Sequence, residues 1–342
     1  MTIPEPAPPS VLIDPGQPAR LERYLADRGW LKDGETVRSL TKAGEGNMNL
    51  TLRVDTGVRT MIVKQGRPWV EKYPAIPAPP DRTAIEADWY ALVERVPRVA
   101  ARMPRLLGVD RDARVLALSD LGPAADFLGL YGDEELQPGH ADALIDWMAD
   151  LHRAFEGDQQ AASRRNRAMR ELNHEHIFEV PLRAGNGLDL DAITPGLRDL
   201  AAELRSDQRL TEEIRSVGQL YLAEGRTLLH GDYYPGSWLQ GPQPWVIDPE
   251  FGFYGHPEFD LGVMLAHLHL ADQPSALTHR CLERYRDQVT VEMRWVAGFA
   301  GVEVIRRLLG VAQLPLSLDL AAKRRLLAHA RNQVLEGCAL PW

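Results

Sequence analysis

Two hydrophobic periods alternate along the chain, and the change from one to the other divides it. Residues 17–28 place Leu21, Tyr24 and Leu25 on one helical face. Residues 37–40, 50–54 and 60–65 read as strands, and the turn-prone stretch Asp55-Thr56-Gly57-Val58-Arg59 makes a hairpin of the last two. Residues 82–94 predict a helix with Ile85, Trp89 and Leu92 on one stripe, and 105–109 and 115–119 complete a small antiparallel sheet. From residue 134 onward the period is mostly helical. Leu144, Trp147, Met148 and Leu151 form a core stripe, and further helices are predicted at 197–204, 211–222, 257–270, 299–309 and 320–335. Two short apolar runs, 227–230 and 245–247, read as brief strands joined by a hairpin rich in Gly and Pro. Residues 66–81, GRPWVEKYPAIPAPPD, hold prolines that exclude regular structure. The fold class is therefore α+β: a flexible leader over 1–16, a small antiparallel-sheet lobe over 17–121 and a larger, mainly helical lobe over 122–342.

Composition narrows the function more than the fold. Of 342 residues 44% are hydrophobic, ample for a buried core, yet no run of eighteen apolar residues predicts a membrane span. The N-terminus shows neither a basic start nor an apolar signal core. Cys281 and Cys338 are two cysteines far apart, without metal-ligand spacing, which fits a reducing cytoplasm. The formal net charge of -9, with no basic stripe carrying aromatics, argues against nucleic acid as a partner. His174 and His176 are two apart and cannot share a helix face, so they make a poor zinc pair. His152 reads as structural.

The chemistry concentrates in residues 228–265. One short strand delivers His230-Gly231-Asp232, with Ser237 five residues on, and the other delivers Asp248-Pro249-Glu250. If the hairpin brings them face to face, Asp232, Asp248 and Glu250 supply a hard divalent-cation site plus a base. Phosphoryl transfer from a nucleotide needs that combination. Upstream, Gly44-Glu45-Gly46-Asn47-Met48-Asn49 joins two predicted strands, and its glycines allow a backbone nest for phosphate. The irregular 66–81 segment offers Trp69 and Tyr73 as a lid over substrate or nucleotide.

These motifs resemble the aminoglycoside phosphotransferase and choline kinase family of small-molecule kinases, with a protein-kinase-like bilobal fold. The methylthioribose kinase subfamily is the most similar. The resemblance rests on His-Gly-Asp, on Gly236-Ser237, on Asp248-Pro249-Glu250-Phe251, on Phe253-Tyr254-Gly255 and on Phe259-Asp260-Leu261-Gly262, and it spans roughly Gly44 to Gly337. It implies ATP and Mg2+ as cofactors, with the γ-phosphate passing to a hydroxyl of a small, sugar-like metabolite. Asp232 would be the catalytic base. Asp248, Glu250 and Ser237, the last in place of a customary Asn, would hold the metal. Gly44, Gly46 and Asn47 would cradle phosphate, with Lys64 paired to Glu86. Asp120 and Leu121 would mark the hinge that reads adenine through its backbone. Arg306, Arg307, Trp69 and Tyr234 would meet the substrate, and Asp260 and His230 would brace the catalytic loop. The resemblance also allows a homodimer.

Departures from the subfamily bear on the acceptor. Tyr233-Tyr234-Pro235 stands where Leu-His-Thr is usual, and Val311-Ala312-Gln313 stands where a His is expected. An aminoglycoside, choline or homoserine-type acceptor thus remains an alternative to methylthioribose. A non-catalytic nucleotide-binding protein is disfavoured because Lys64, Asp232, Asp248 and Glu250 are all present. A protein kinase is disfavoured by the absence of Asp-Phe-Gly and of an activation segment.

Overall fold

The computed structural model describes residues 9–44 and 48–337. The chain divides into two compact units, Met1–Ala124 and Ala125–Trp342.

The first unit is built on a five-stranded antiparallel sheet. Its strands are β1 (Ser39–Lys42), β2 (Leu50–Asp55), β3 (Thr60–Gln65), β6 (Leu106–Asp110) and β7 (Val115–Ser119), in the order β1-β2-β3-β7-β6. Along β2 buried residues alternate with half-exposed ones, so Leu50, Leu52 and Val54 face the core. Helix α1 (Pro18–Asp27) starts on Pro18, whose fixed φ suits a first helical turn, and lays Leu21 and Leu25 against Val54, Met61, Val63 and Val115. Helix α2 (Arg82–Val93), followed by the single turn α3 (Pro97–Ala100), covers β6 and β7 and buries Trp89.

Two expectations for this unit need correction. The described part of the leader is tied down. Ile13 is 4% exposed, and its N–H donates to Gln65 Oε1 at 2.9 Å, while Gln65 Nε2 donates to Val11 O at 2.7 Å. The buried Gln65 amide acts as a surrogate strand, satisfying backbone that would otherwise need water. Residues 66–81 are also not irregular throughout. Strand β4 (Trp69–Val70) pairs antiparallel with β5 (Tyr73–Pro77) as a separate two-stranded ribbon. A ribbon this short needs few ladder donors, so its prolines cost little. Arg82 anchors it. This fully buried guanidinium donates to Asn49 Oδ1, Met48 O, Arg67 O and Pro79 O at 2.7–2.8 Å. One side chain thereby joins the ribbon to the segment preceding β2, through hydrogen bonds to a charged group worth about 1.5–3 kcal/mol each.

The second unit is helical. It contains α4 (Pro138–Ala154), α5 (Gln159–Ala162), α6 (Arg167–His174), α7 (Leu190–Ile193), α8 (Leu197–Ser206), α9 (Gln208–Leu222), α10 (Glu258–Leu270), α11 (Ser275–Arg286), α12 (Met293–Leu309) and α13 (Leu320–Glu336). A π-helical turn, Glu175–Glu179, extends α6. Helices α10 and α12 are buried along nearly their whole length and pack on each other. Gly262 permits this: a Cβ there would lie 2.8 Å from Phe299 Cβ and 2.9 Å from Val296 O.

Four short strands complete the unit, and their pairing differs from the expected hairpin. Strand β8 (Thr227–Leu228) pairs with β11 (Tyr254–Gly255), whereas β9 (Trp238–Leu239) pairs with β10 (Trp245–Val246). The intervening segment carries a strand of its own, so the 245–247 run folds back on Trp238 and Leu239 and leaves β8 to the later partner. Helix α12 starts at Met293 rather than at 299, and α11 has no counterpart among the predicted elements.

Candidate active site

The loop after β8 is built to hold one conformation. Gly231 has φ +85°, and a Cβ there would lie 2.2 Å from Phe251 O, so glycine alone fits. Asp260, fully buried on α10, accepts hydrogen bonds from the N–H groups of His230 (2.7 Å) and Gly231 (3.0 Å). It also accepts one from His152 Nε2 at 3.2 Å, and His152 Nδ1 meets Tyr285 Oη at 2.6 Å. His230 Nε2 donates to Ile247 O at 2.9 Å, which leaves Nδ1 to accept the Asp232 N–H at 3.4 Å. Burial depresses the His230 pKa, so the imidazole stays neutral. Trp147 and Tyr233 stack at 5.5 Å behind it, and Ser237 Oγ donates to Asp232 O at 2.7 Å, closing the loop.

That frame presents the Asp232 carboxylate, with 23% of its side chain exposed. Burial raises its pKa, against the lowering influence of Arg307 and Arg306. Arg307 Nη2 lies 3.7 Å from Asp232 Oδ1, and the guanidinium sits 4.9 Å from the Tyr234 ring centroid.

Behind Arg307 is a group the sequence reading did not assign. Glu303, 1% exposed on α12, accepts from Arg307 Nε at 2.6 Å, from Arg306 Nη1 at 2.9 Å and from His267 Nε2 at 3.0 Å. His267 Nδ1 in turn takes the Tyr131 hydroxyl at 2.5 Å. Burial pushes the His267 pKa down to about 4, so this imidazole is neutral at pH 7. Burial works against ionisation of Glu303 too, but the two arginines outweigh it and hold the carboxyl well below the usual range. The cluster thus balances two guanidinium groups against two carboxylates. The i, i+3 and i, i+4 spacing of Glu303 to the arginine pair is the signal that could have revealed it.

Asp248 and Glu250 occupy the loop after β10. Asp248 is in the left-handed region at φ 64°, a strained conformation for a non-glycine residue. Asn166, also left-handed and unassigned from sequence, donates from its amide to Glu250 O (2.9 Å) and Gly252 O (3.0 Å) and fixes the turn. Asp232 and Asp248 both act electrostatically on Tyr234, whose pKa is raised first by burial and then by these carboxylates. Among the described residues no three His, Cys, Asp or Glu side chains gather in a way that could hold a metal ion. Asp232 therefore does not join Asp248 and Glu250 in a protein-only cage. The oxygen donors of Asp248 and Glu250 suit magnesium, which takes one or two carboxylates and completes its shell with phosphate and water.

In the first unit Lys64 Nζ lies 2.8 Å from Glu86 Oε1, and both side chains are buried. Asp120 is bound by Arg53, with Nε–Oδ2 at 2.7 Å, and by the Gly122 N–H at 3.1 Å. Burial would raise its pKa, but the Arg53 and Thr60 hydrogen bonds hold it below the ordinary value. Leu121 is half-buried, and Gly44 is exposed with φ +70°. Gly46 and Asn47 lie outside the described residues. Trp69 packs within its ribbon, 5.9 Å beneath the Arg67 guanidinium. Among the described residues no helix is long and apolar enough to cross a membrane.

Comparison with known proteins bears on the family and the fold. The family model described as APH, the phosphotransferase enzyme family, matches residues 39–299. The methylthioribose kinase of Exiguobacterium sibiricum is 26% identical over 311 residues, covering 79% of this chain and 79% of that one. The methylthioribose kinase of Bacillus cereus is 25% identical over 357 residues, covering 92% and 88%. Among solved structures, a spectinomycin phosphotransferase in complex with ADP and spectinomycin superposes with TM-score 0.56 at 11% identity, covering 94% of this chain and 98% of that one. A choline/ethanolamine kinase family protein from Mesorhizobium loti gives TM-score 0.54 at 16% identity, covering 93% and 98%. These likenesses show the kinase-like fold.

Proposed function

We propose, from the premise that the chain belongs to the phosphotransferase enzyme family and is an ATP-dependent small-molecule kinase, that its acceptor is a neutral, hydroxyl-rich sugar, with methylthioribose the first choice. The observation that carries this reading is the arginine pair beside Asp232. Arg306 Nε and Arg307 Nη2 are buried donors with no hydrogen-bond partner among the described residues. Hydroxyl oxygens would satisfy them, and a guanidinium fork suits vicinal oxygens. A cationic acceptor gains little here. Two unit charges 4 Å apart interact by about 4 kcal/mol at an effective dielectric of about 20, so the attraction of Asp232 for an ammonium is largely cancelled by Arg307. The methylthioribose kinases among the relatives support the same choice.

In the proposed reaction Asp232 orients the acceptor hydroxyl and takes its proton as the oxygen attacks the γ-phosphorus of ATP and the bond from that phosphorus to the β–γ bridging oxygen breaks, releasing ADP. Arg307, aligned by Glu303, holds the carboxylate and the acceptor oxygens in register. Lys64, held by Glu86, binds nucleotide phosphate oxygens. Asp248 and Glu250 are the residues that would hold magnesium, which supplies neutralisation of phosphate charge when bound. Ser237 commits its hydroxyl proton to the Asp232 carbonyl but keeps lone pairs for a ligand role.

The test is an acceptor ranking under ATP and magnesium, with methylthioribose, ribose, choline, homoserine and an aminoglycoside. The expected kcat/KM for a neutral sugar exceeds that of choline and the aminoglycoside by about 100-fold or more, corresponding to about 3 kcal/mol. The reverse ranking would overturn the assignment of acceptor class while leaving the kinase in place.

A further inference from the structure

A cavity of about 240 Å³ lies in the second unit, backed by α12 and α13. Ile193, Leu308, Leu314, Leu316 and Leu318 give it an apolar wall, and Lys323 lines it as well. Lys323 is 4% exposed, and Nζ donates to Thr194 Oγ1 at 2.6 Å. Among the described residues it has no ion pair. The acids on neighbouring elements are committed elsewhere: Asp319 caps Ala322 at the start of α13, Glu203 pairs with Arg324, and Asp191 pairs with Arg198. A buried ammonium with one neutral acceptor is a costly arrangement, and it favours an anion as its missing partner. Burial depresses the Lys323 pKa accordingly.

We propose that this cavity binds a short aliphatic carboxylate, with the carboxylate on the Lys323 ammonium and the chain against the leucines. The volume of about 240 Å³ falls below the range of about 300–1,000 Å³ typical of drug-sized ligands, so the ligand is a small one. Leu308 follows Arg307 directly, which places the cavity behind the helix that carries the arginine pair. None of Asp232, Tyr234, Arg306 and Arg307 lines the cavity, and its test does not depend on turnover.

The test follows thermal unfolding and calorimetric binding of the full chain with hexanoate, hexylamine and hexanol. Hexanoate is expected to raise Tm saturably, by linkage to the folded state, while the amine and the alcohol leave it unchanged. Lys323→Met should abolish the hexanoate shift. Leu316→Trp, which fills the cavity but keeps the ammonium, should abolish it too and covers the case in which Lys323→Met does not fold. No shift in the unaltered protein would overturn the proposal. So would an undiminished shift in either variant, which would direct the carboxylate to the arginine pair instead.

Discussion

Asp232→Asn lowers kcat by about 10²–10⁴-fold, the range for removal of a positioned general base, with little change in the KM for ATP. The variant keeps the shape of the loop. The bonds that fix it run through the Asp232 backbone, as acceptor from Ser237 Oγ and donor to His230 Nδ1, and through Asp260. What disappears is the carboxylate alone. A pH profile separates this from a structural effect. Burial raises the Asp232 pKa, so kcat should climb with pH through a value above the ordinary carboxylate figure of about 3.9. That limb should be missing in the variant. A variant within tenfold of the parent, with the limb retained, would remove Asp232 from the reaction.

Glu303→Gln has the next largest expected effect, and it reads out in stability and in binding together. Glu303 is the counter-charge for both arginines, and its loss leaves two buried guanidinium groups facing Asp232 alone. Breaking a buried pair in this way costs about 3–5 kcal/mol. Arg307 also loses its anchor, so the KM for the acceptor should rise while the KM for ATP does not. The pH dependence has a definite sign. The folded-state pKa of Glu303 is well below its unfolded value, so its contribution is present above about pH 4.3 and disappears on acidification through the folded value. His267 is depressed to about 4, so the unfolded chain takes up a proton that the native state refuses, and stability falls between about pH 6.5 and 4. Urea unfolding of both proteins at pH 7, pH 5 and about pH 3 measures both effects. A loss below about 1 kcal/mol at pH 7 would mean that the arginines find compensation elsewhere.

The sequence exposed the parts of this protein that are local. The strands expected at 50–54 and 60–65 are observed as Leu50–Asp55 and Thr60–Gln65, and the helix expected at 82–94 is observed as Arg82–Val93. Lys64 and Glu86 could be connected because one ends a strand and the other lies on the helix that covers the sheet. What stayed hidden depends on tertiary partners. Thr227–Leu228 and Trp245–Val246 are apolar runs of the right kind, yet nothing within them says that each pairs with a third segment. Nothing in the sequence marks Arg82 for burial, and only the folded carbonyls of Met48, Arg67 and Pro79 make it a buried anchor. Glu303 and His267 are inconspicuous on apolar helices until α10 and α12 pack together and set them 3.0 Å apart. Asn166 is a loop residue until its amide reaches the Glu250 turn.

Phosphorus NMR on a reaction containing the protein, ATP, magnesium and methylthioribose tests the central claim most directly. The account predicts one phosphomonoester on the sugar for each ADP formed, and formation of both slowed by about 10²–10⁴-fold with Asp232→Asn. ADP released with inorganic phosphate alone, or ATP bound but left intact with every neutral sugar supplied, would contradict it.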